Sequence, residues 1–313
     1  MNDMILLAGS SHPELAKKIS AYVKVPLAEM ELFKFANDDT FVKINENIRR
    51  RDVYIIQSTC RPVNDNLMEM LIIMDACKRA STNSITAVLP YYGYVRSDKK
   101  DQPRVPITAK LVADLLTTAG ADRVICMDMH AEAIQGFFNI PVDHLYSMPV
   151  FMQYLKEIQL KDLMIVSPDA GGVSRARAYA KRVGSELAIV DKRRVPGNQD
   201  MTEMYHIIGD VKGKSCVLVD DIIDTAGTIT KAAAILLDRG AREVRAMATH
   251  ATLSDPACER LGKSDMVEVL VTDTVPIPPE KMLKKIKVLS IAPLLGETIK
   301  RINRGDSVSS LFV

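Results

Sequence analysis

Two homologous α/β domains, each built on mainly parallel and buried strands, are what the chain predicts, and three observations lead there. Short apolar runs of four to eight residues alternate with amphipathic stretches such as NLMEMLIIMDACKRA and ITKAAAILLDRG, the order expected of parallel strands joined by helices. AGADRVICMDMHAEA (119–133) and RGAREVRAMATHATL (239–253) align without gaps at an offset of 120 residues, and Thr108, Ala113 and Leu116 fall on Thr228, Ala233 and Leu236 at the same offset. A helix, a Gly turn and a strand therefore recur together. The length of 313 residues suits two domains, which we divide at 1–145 and 146–313, with the last residues able to pack back on the first domain.

Taken in order, the expected strands are MILLA (4–8), DVYIIQ (52–57), SITAVLP (84–90), RVICMD (123–128), LMIVSPD (163–169), ELAIVD (186–191), SCVLVDD (215–221) and EVRAMATH (243–250). Each is a run of strand length bounded by polar or turn-forming residues. Composition excludes several function classes. Lys and Arg number 41 against 39 Asp and Glu, spread without a basic stripe, so no nucleic-acid partner is expected. The five cysteines are odd in number, far apart and without a CxxC pair, and read as reduced thiols of a cytoplasmic protein. No run of about 18 apolar residues suggests a membrane partner.

The segment VLVDDIIDTAGT, Val217 to Thr228, carries the most chemistry. An apolar strand ends in acids and turns through Thr225, Ala226, Gly227 and Thr228 into a helix, where successive amide N–H groups and the positive helix end can surround a phosphate. Asp220, Asp221 and Asp224 precede it, placed for the hydroxyls of a sugar or for magnesium held by them; alternatively Asp220 and Asp224 cap the helix. A Walker loop is excluded because GDVKGKS (209–215) has three residues between its glycines instead of four and leads into a strand. No GxGxxG occurs either, which removes a Rossmann dinucleotide site.

Asp128 and His130 stand two apart at a strand end, where alternation would put both side chains on one face, able to hold magnesium directly or through water. Asp169 follows another buried strand and precedes Gly171 and Gly172, so it is either a further magnesium ligand or a helix cap. Lys192, Arg193 and Arg194 open the polar loop KRRVPGNQD, three cations suited to clamping transferring phosphates or to a solvated face. PYYGYVRSDKKDQPRVP (90–106) stands where the first domain would carry its own phosphate turn. It offers Arg96, Lys99, Lys100 and Arg104 to a polyphosphate tail, while Tyr91, Tyr92 and Tyr94 could instead anchor an interface.

Together these segments resemble the class I ribose-phosphate pyrophosphokinases, in the order QSTCRPVNDNLMEMLIIMDACKRA, PYYGYVRSDKK, MDMHA, SPDAGG, DKRR, VDDIIDTAGT, VTDTVP and the terminal SSLF. The resemblance runs over the whole chain. It implies two tandem domains of the type I phosphoribosyltransferase fold in a homo-hexamer, and transfer of diphosphate from ATP to ribose 5-phosphate with magnesium, releasing AMP. It also implies ribose 5-phosphate on Asp220, Asp221 and Asp224 through Thr228 with Arg194, and catalysis by Lys192 and Arg194. Magnesium would lie on His130 and Asp169, and Arg96 would contact ATP. Inorganic phosphate and ADP are the family's effectors, for which Arg49, Ser309 and Ser310 would form an anion site.

Departures from the family pattern fall on the ATP side. Where Phe-Ser-Asp-Gly-Glu is usual, a segment that meets the adenine, this chain has Phe35, Ala36, Asn37, Asp38 and Asp39. Loss of the Gly removes its freedom at positive φ. Ser97 replaces the usual Gln after Arg96 and has fewer hydrogen-bonding groups. These changes motivate a second reading, a regulatory paralogue with little catalysis of its own. A phosphoribosyltransferase would share the Thr-Ala-Gly-Thr turn but leave MDMHA and DKRR unexplained.

Overall fold

The computed structural model describes residues 4–194 and 203–312, leaving aside the side chains of 192–194 and 203–205. The chain divides into two compact units, one of Met1–Tyr146, Thr274–Pro276 and Ser290–Val313, the other of Ser147–Asp273 and Ile277–Leu289.

The first unit begins with β1 (Met4–Ala8), α1 (Pro13–Val23), β2 (Met30–Lys34), β3 (Thr40–Ile44), β4 (Asp52–Ile56) and α2 (Val63–Arg79). It continues through β5 (Ser84–Leu89), α3 (Thr108–Ala119), β6 (Arg123–Met127) and β7 (Val142–Leu145). Its main sheet has the order β1-β4-β5-β6-β7, every pair parallel. Strands such as β4 and β6 are buried at four of five positions, so both faces are covered and the sequence reads as an unbroken apolar run. β2 and β3 form a separate antiparallel hairpin.

The second unit comprises α4 (Met148–Ile158), β8 (Leu163–Ser167), α5 (Val173–Val183), β9 (Glu186–Arg194), β10 (Glu203–Ile208), β11 (Ser215–Ile223) and α6 (Gly227–Asp238). β12 (Glu243–Ala251), α7 (Ala257–Lys263), β13 (Glu268–Thr272) and β14 (Ile286–Leu289) complete it. Its sheet runs β10-β9-β8-β11-β12-β13-β14, parallel except for the β10–β9 pair at one edge. One apolar cluster joins α4 and α5 to one face through Phe151, Ala176, Val217 and Val219, and another joins α6 to the opposite face through Ile229, Ala232, Cys216 and Leu218.

The 120-residue repeat is structural. Shifting β6 by that offset lands on the first five residues of β12, and α3 lands on α6 with a one-residue displacement. Gly120 and Gly240, equivalent under the offset, have φ of 118° and 86°, a conformation that a side chain resists and that turns each helix toward its next strand. Tyr92, offered as an interface anchor by sequence, is instead core: it is 1% exposed and its hydroxyl donates to the Ala109 carbonyl at 2.8 Å. Four of the five free cysteines are buried. Among the described residues, no helix is long and apolar enough to cross a membrane.

Helix α8 (Ala292–Arg304) returns to the first unit and packs on α1. At their closest approach a Cβ on Gly296 would stand 2.6 Å from Tyr22 Cδ1, so only Gly lets the ring lie against the helix. Gly296→Ala should therefore lower stability by about 1–3 kcal/mol, the usual range for overpacking. Thermal denaturation checks this, and combining it with Tyr22→Ala should make the Gly296→Ala change much less costly.

Candidate active site

Strand β11 is the structural origin of the site. It is paired on one side with β8 and on the other with β12, so its apolar residues are enclosed and its acids can appear only where the sheet ends. Side chains alternate along it, with Cys216 and Leu218 packing toward α6 and Val217 and Val219 toward α4 and α5. Continued by one step, that alternation turns Asp221 to the α5 face, where Arg175 Nη1 meets its Oδ1 at 2.9 Å. Asp221 is 3% exposed and pairs with partly buried Arg175, whereas Asp220 and Asp224 are more open to solvent. Arg175 was missed by sequence reasoning, although the period of two already separates neighbouring aspartates.

Asp220 remains half-buried, with Arg175 Nη1 3.6 Å from its Oδ1 and the Asp221 amide donating to that same oxygen at 2.9 Å. Burial raises its carboxyl, and the neighbouring Asp221 raises it further, to about 8. A carboxyl held this high gains from a ligand that donates hydroxyl protons or brings positive charge. Asp224 lies 3.2 Å from the Thr252 hydroxyl.

After Asp224 the chain turns through Thr225 and Ala226 into α6. Ala226 has φ 59° and ψ 9°, a left-handed conformation costly for a residue with a Cβ, and as the N-cap residue it supplies no side-chain cap. Ala226 itself holds the N-cap position, with Asp220 and Asp224 before it on the chain. Thr225 and Thr228 are exposed at this turn, beside Gly227. The result is the N-terminus of a helix of three turns whose N-cap residue has no capping side chain, preceded by a strained turn, which suits an anion.

The other sequence-derived residues fall as follows. Asp169 is exposed after β8 and its Oδ1 accepts the Gly172 amide at 2.9 Å, the capping arrangement. β6 ends at Met127, and Asp128 takes φ 31°, so strand alternation does not reach the pair: Asp128 is buried and His130 exposed. The loop carrying them is fixed by β7, whose Leu145 carbonyl accepts the Asp128 amide at 2.9 Å and whose His144 Nε2 accepts the Met129 amide at 2.9 Å. Lys192, Arg193 and Arg194 do not open a loop; β9 runs on to Arg194, with Lys192 opposite Tyr205 and Arg194 opposite Glu203. Pairing with β10 at the sheet edge tolerates such cations. Their side chains, and residues 195–202 that hold the rest of KRRVPGNQD, lie outside the described residues.

In the first unit, Phe35 through Asp39 form the β2–β3 turn. Asp38 has φ 66°, the conformation in which a Gly would be at ease, and Asn37 Nδ2 donates to Asp39 Oδ2 at 2.6 Å. Phe35 is 50% exposed and packs edge-on against Phe33 and Phe41. Arg96 and Lys99 are exposed, whereas Ser97 is occupied at the start of α3, its Oγ accepting the Thr108 amide at 3.2 Å and its carbonyl the Ala109 amide at 3.1 Å. Arg49 is exposed beside a cavity of about 300 Å³ lined also by Ile44, Asn47 and Ala80. Ser310 is hydrogen-bonded to Arg301, next to Ser309 in the closing 3-10 turn.

Residues 4–120 match the N-terminal domain of ribose phosphate pyrophosphokinase, and residues 191–313 match the phosphoribosyl synthetase-associated domain. The ribose-phosphate pyrophosphokinase of Gloeobacter violaceus is 54% identical over 308 residues, covering 98% of this chain and 92% of that one. That of Caldanaerobacter subterraneus is 54% identical over 312 residues, covering 99% and 98%. The crystal structure of phosphoribosylpyrophosphate synthetase from Mycobacterium smegmatis superposes with a TM-score of 0.92 at 44% identity, covering 97% of this chain and 99% of that one.

Two stability changes follow from the acids of β11. Arg175→Met removes the guanidinium that bonds buried Asp221 and should cost about 1–3 kcal/mol in chemical denaturation. Asp220, with its carboxyl raised above the unfolded value, contributes stability at low pH that is lost as pH rises toward about 8. The melting temperature of Asp220→Asn should therefore rise relative to the wild type between pH 5 and pH 9, read by thermal scans across that range.

Proposed function

The chain belongs to the ribose-phosphate pyrophosphokinase family, and we propose how its own residues divide that family's reaction. The anomeric hydroxyl of ribose 5-phosphate attacks the β-phosphorus of ATP in line. A bond forms from that oxygen to the β-phosphorus, the bond to the bridging oxygen breaks, AMP departs with that oxygen, and the hydroxyl proton passes to solvent. The products are phosphoribosyl diphosphate, for nucleotide biosynthesis, and AMP.

The observation that carries the assignment is the α6 N-terminus, entered through left-handed Ala226 and set directly after the acids of β11. Its amides at Ala226, Gly227 and Thr228, with the hydroxyls of Thr225 and Thr228, hold the 5-phosphate. Asp220 and Asp224 then accept hydroxyl protons of the ribose, which turns its anomeric oxygen toward the incoming phosphorus. Asp221 acts from behind, through Arg175. On the nucleotide side Phe35 stacks with the adenine, Asn37, Asp38 and Asp39 offer polar contacts, and Arg96 and Lys99 meet the phosphates. Lys192 and Arg194 stabilise charge on the transferring group. Ser97 acts through the start of α3.

Magnesium fits the donors available. Among the described residues no three His, Cys, Asp or Glu groups form a ready cage, and magnesium commonly takes only one or two carboxylates, with water and substrate phosphates completing its shell. Asp128 and His130 in the first unit, and separately Asp169 in the second, are the residues that would hold magnesium, which bound there would withdraw charge from the transferring phosphates. The enzyme acts as a cytoplasmic homo-hexamer without nucleic acid or membrane partners, and Arg49, Ser309 and Ser310 take inorganic phosphate or ADP.

Incubated with ATP, ribose 5-phosphate, magnesium and phosphate, the protein should yield AMP and a ribose-bound diphosphate in the phosphorus NMR spectrum. Lys192→Ala should reduce the rate at least a hundredfold, the usual scale for a lost charge-stabilising group. Formation of neither product with ATP, GTP or CTP would overturn the assignment.

A further inference from the structure

Arg260, in the last turn of α7, reaches the phosphate turn from a helix that the motif does not include. Its Nη1 donates to the Thr225 carbonyl at 3.0 Å, and the same nitrogen lies 3.2 Å from where a Cβ on Gly227 would stand. The guanidinium thus lies against the two residues that flank Ala226. Gly227 is small where Arg260 needs room, a second reason for Gly at that position besides access for a ligand.

The contact fixes more than a side chain. The Thr225–Ala226 peptide is trans, so its carbonyl and its N–H point in opposite directions. With the carbonyl held by Arg260, the Ala226 N–H must face the other way. Ala226, left-handed at φ 59°, then hands the chain directly to the N-terminus of α6. Successive amides around such a residue form a concave donor set for an anion. Without a partner on the Thr225 carbonyl, that peptide is held only by its neighbours in β11 and α6, and the first member of the donor set is less well aimed. The guanidinium also keeps most of its five N–H donors and a full positive charge beside the turn.

We propose that Arg260 is a positioning residue for ribose 5-phosphate, which locks the Thr225–Ala226 peptide so that its N–H faces the 5-phosphate and whose charge favours the phosphorylated sugar. The inference rests on assignment of the Thr225–Thr228 turn to that phosphate. Arg260 makes no contact with ATP in this role, so its influence is confined to one substrate.

Steady-state kinetics of Arg260→Gln, Arg260→Lys and Thr228→Ala, each with a melting curve, test it. For Arg260→Gln the KM for ribose 5-phosphate should rise about tenfold or more, the scale of one hydrogen bond to a charged group, with kcat and the KM for ATP within about threefold. Arg260→Lys, which keeps charge without the planar fork, should recover part of the loss. An unchanged KM for ribose 5-phosphate in Arg260→Gln, alongside a raised one in Thr228→Ala, overturns the role of Arg260 and leaves the phosphate turn in place. No change in either variant overturns both. Equal losses in kcat and in both KM values, together with a lower melting temperature, make Arg260 a structural strut only and also defeat the proposal.

Discussion

The enclosure of β11 within its sheet is the constraint on which the rest of the ribose side depends. A strand bonded on both edges and covered on both faces has no place for charge along its length, so its acids gather at the carboxyl end. The period of two then gives adjacent aspartates opposite tasks. Asp221 enters the α5 face and is neutralised by Arg175, while Asp220 stays beside the turn with its carboxyl raised. The buried pair fixes the strand end, and the strand end fixes where α6 begins.

Some of the left-handed residues fall in the site segments, while others, such as Lys24 and Gln159, simply end helices. Ala226 at φ 59°, Asp128 at φ 31° and Asp38 at φ 66° each hold a backbone conformation that their side chains resist, and each lies in a segment assigned to a substrate or to magnesium. Such conformations persist only where the surroundings over-determine them. For Asp128 those surroundings are the β7 contacts at Leu145 and His144; for Ala226 they are β11, α6 and Arg260. The turn holding Asp38 has instead the Asn37–Asp39 side-chain bond, a local device that replaces the freedom of a Gly.

Much of this was legible in the sequence, and most of the remainder was hidden for physical reasons; β13 (EVLVT), buried at four of five positions, carries a readable apolar run. All eight apolar runs are strands, because burial on both faces leaves an unbroken apolar signature. β2 and β3 went unread since their hairpin is half-exposed and mixes Glu31 and Lys43 with aromatic residues. β7 and β14 have four residues each, too few to show a period. β10 is an edge strand, and its pairing draws Lys192 to Arg194 out of their expected loop. At the site, the Asp220 to Thr228 string announced itself by composition. Arg175 and Arg260 did not, because each arrives from a helix remote in sequence and belongs to no motif. Ser97 could be noticed as a shortened side chain, but its hold on the first turn of α3 required coordinates.

A crystal structure with ribose 5-phosphate bound tests the central claim most directly, since it places the phosphate independently of rates. Phosphate oxygens should lie at ordinary hydrogen-bond distance, about 2.7–3.2 Å, from the amide nitrogens of Ala226, Gly227 and Thr228, with the Thr225 carbonyl still on Arg260. Phosphate density elsewhere, with the α6 N-terminus facing only water, would contradict it.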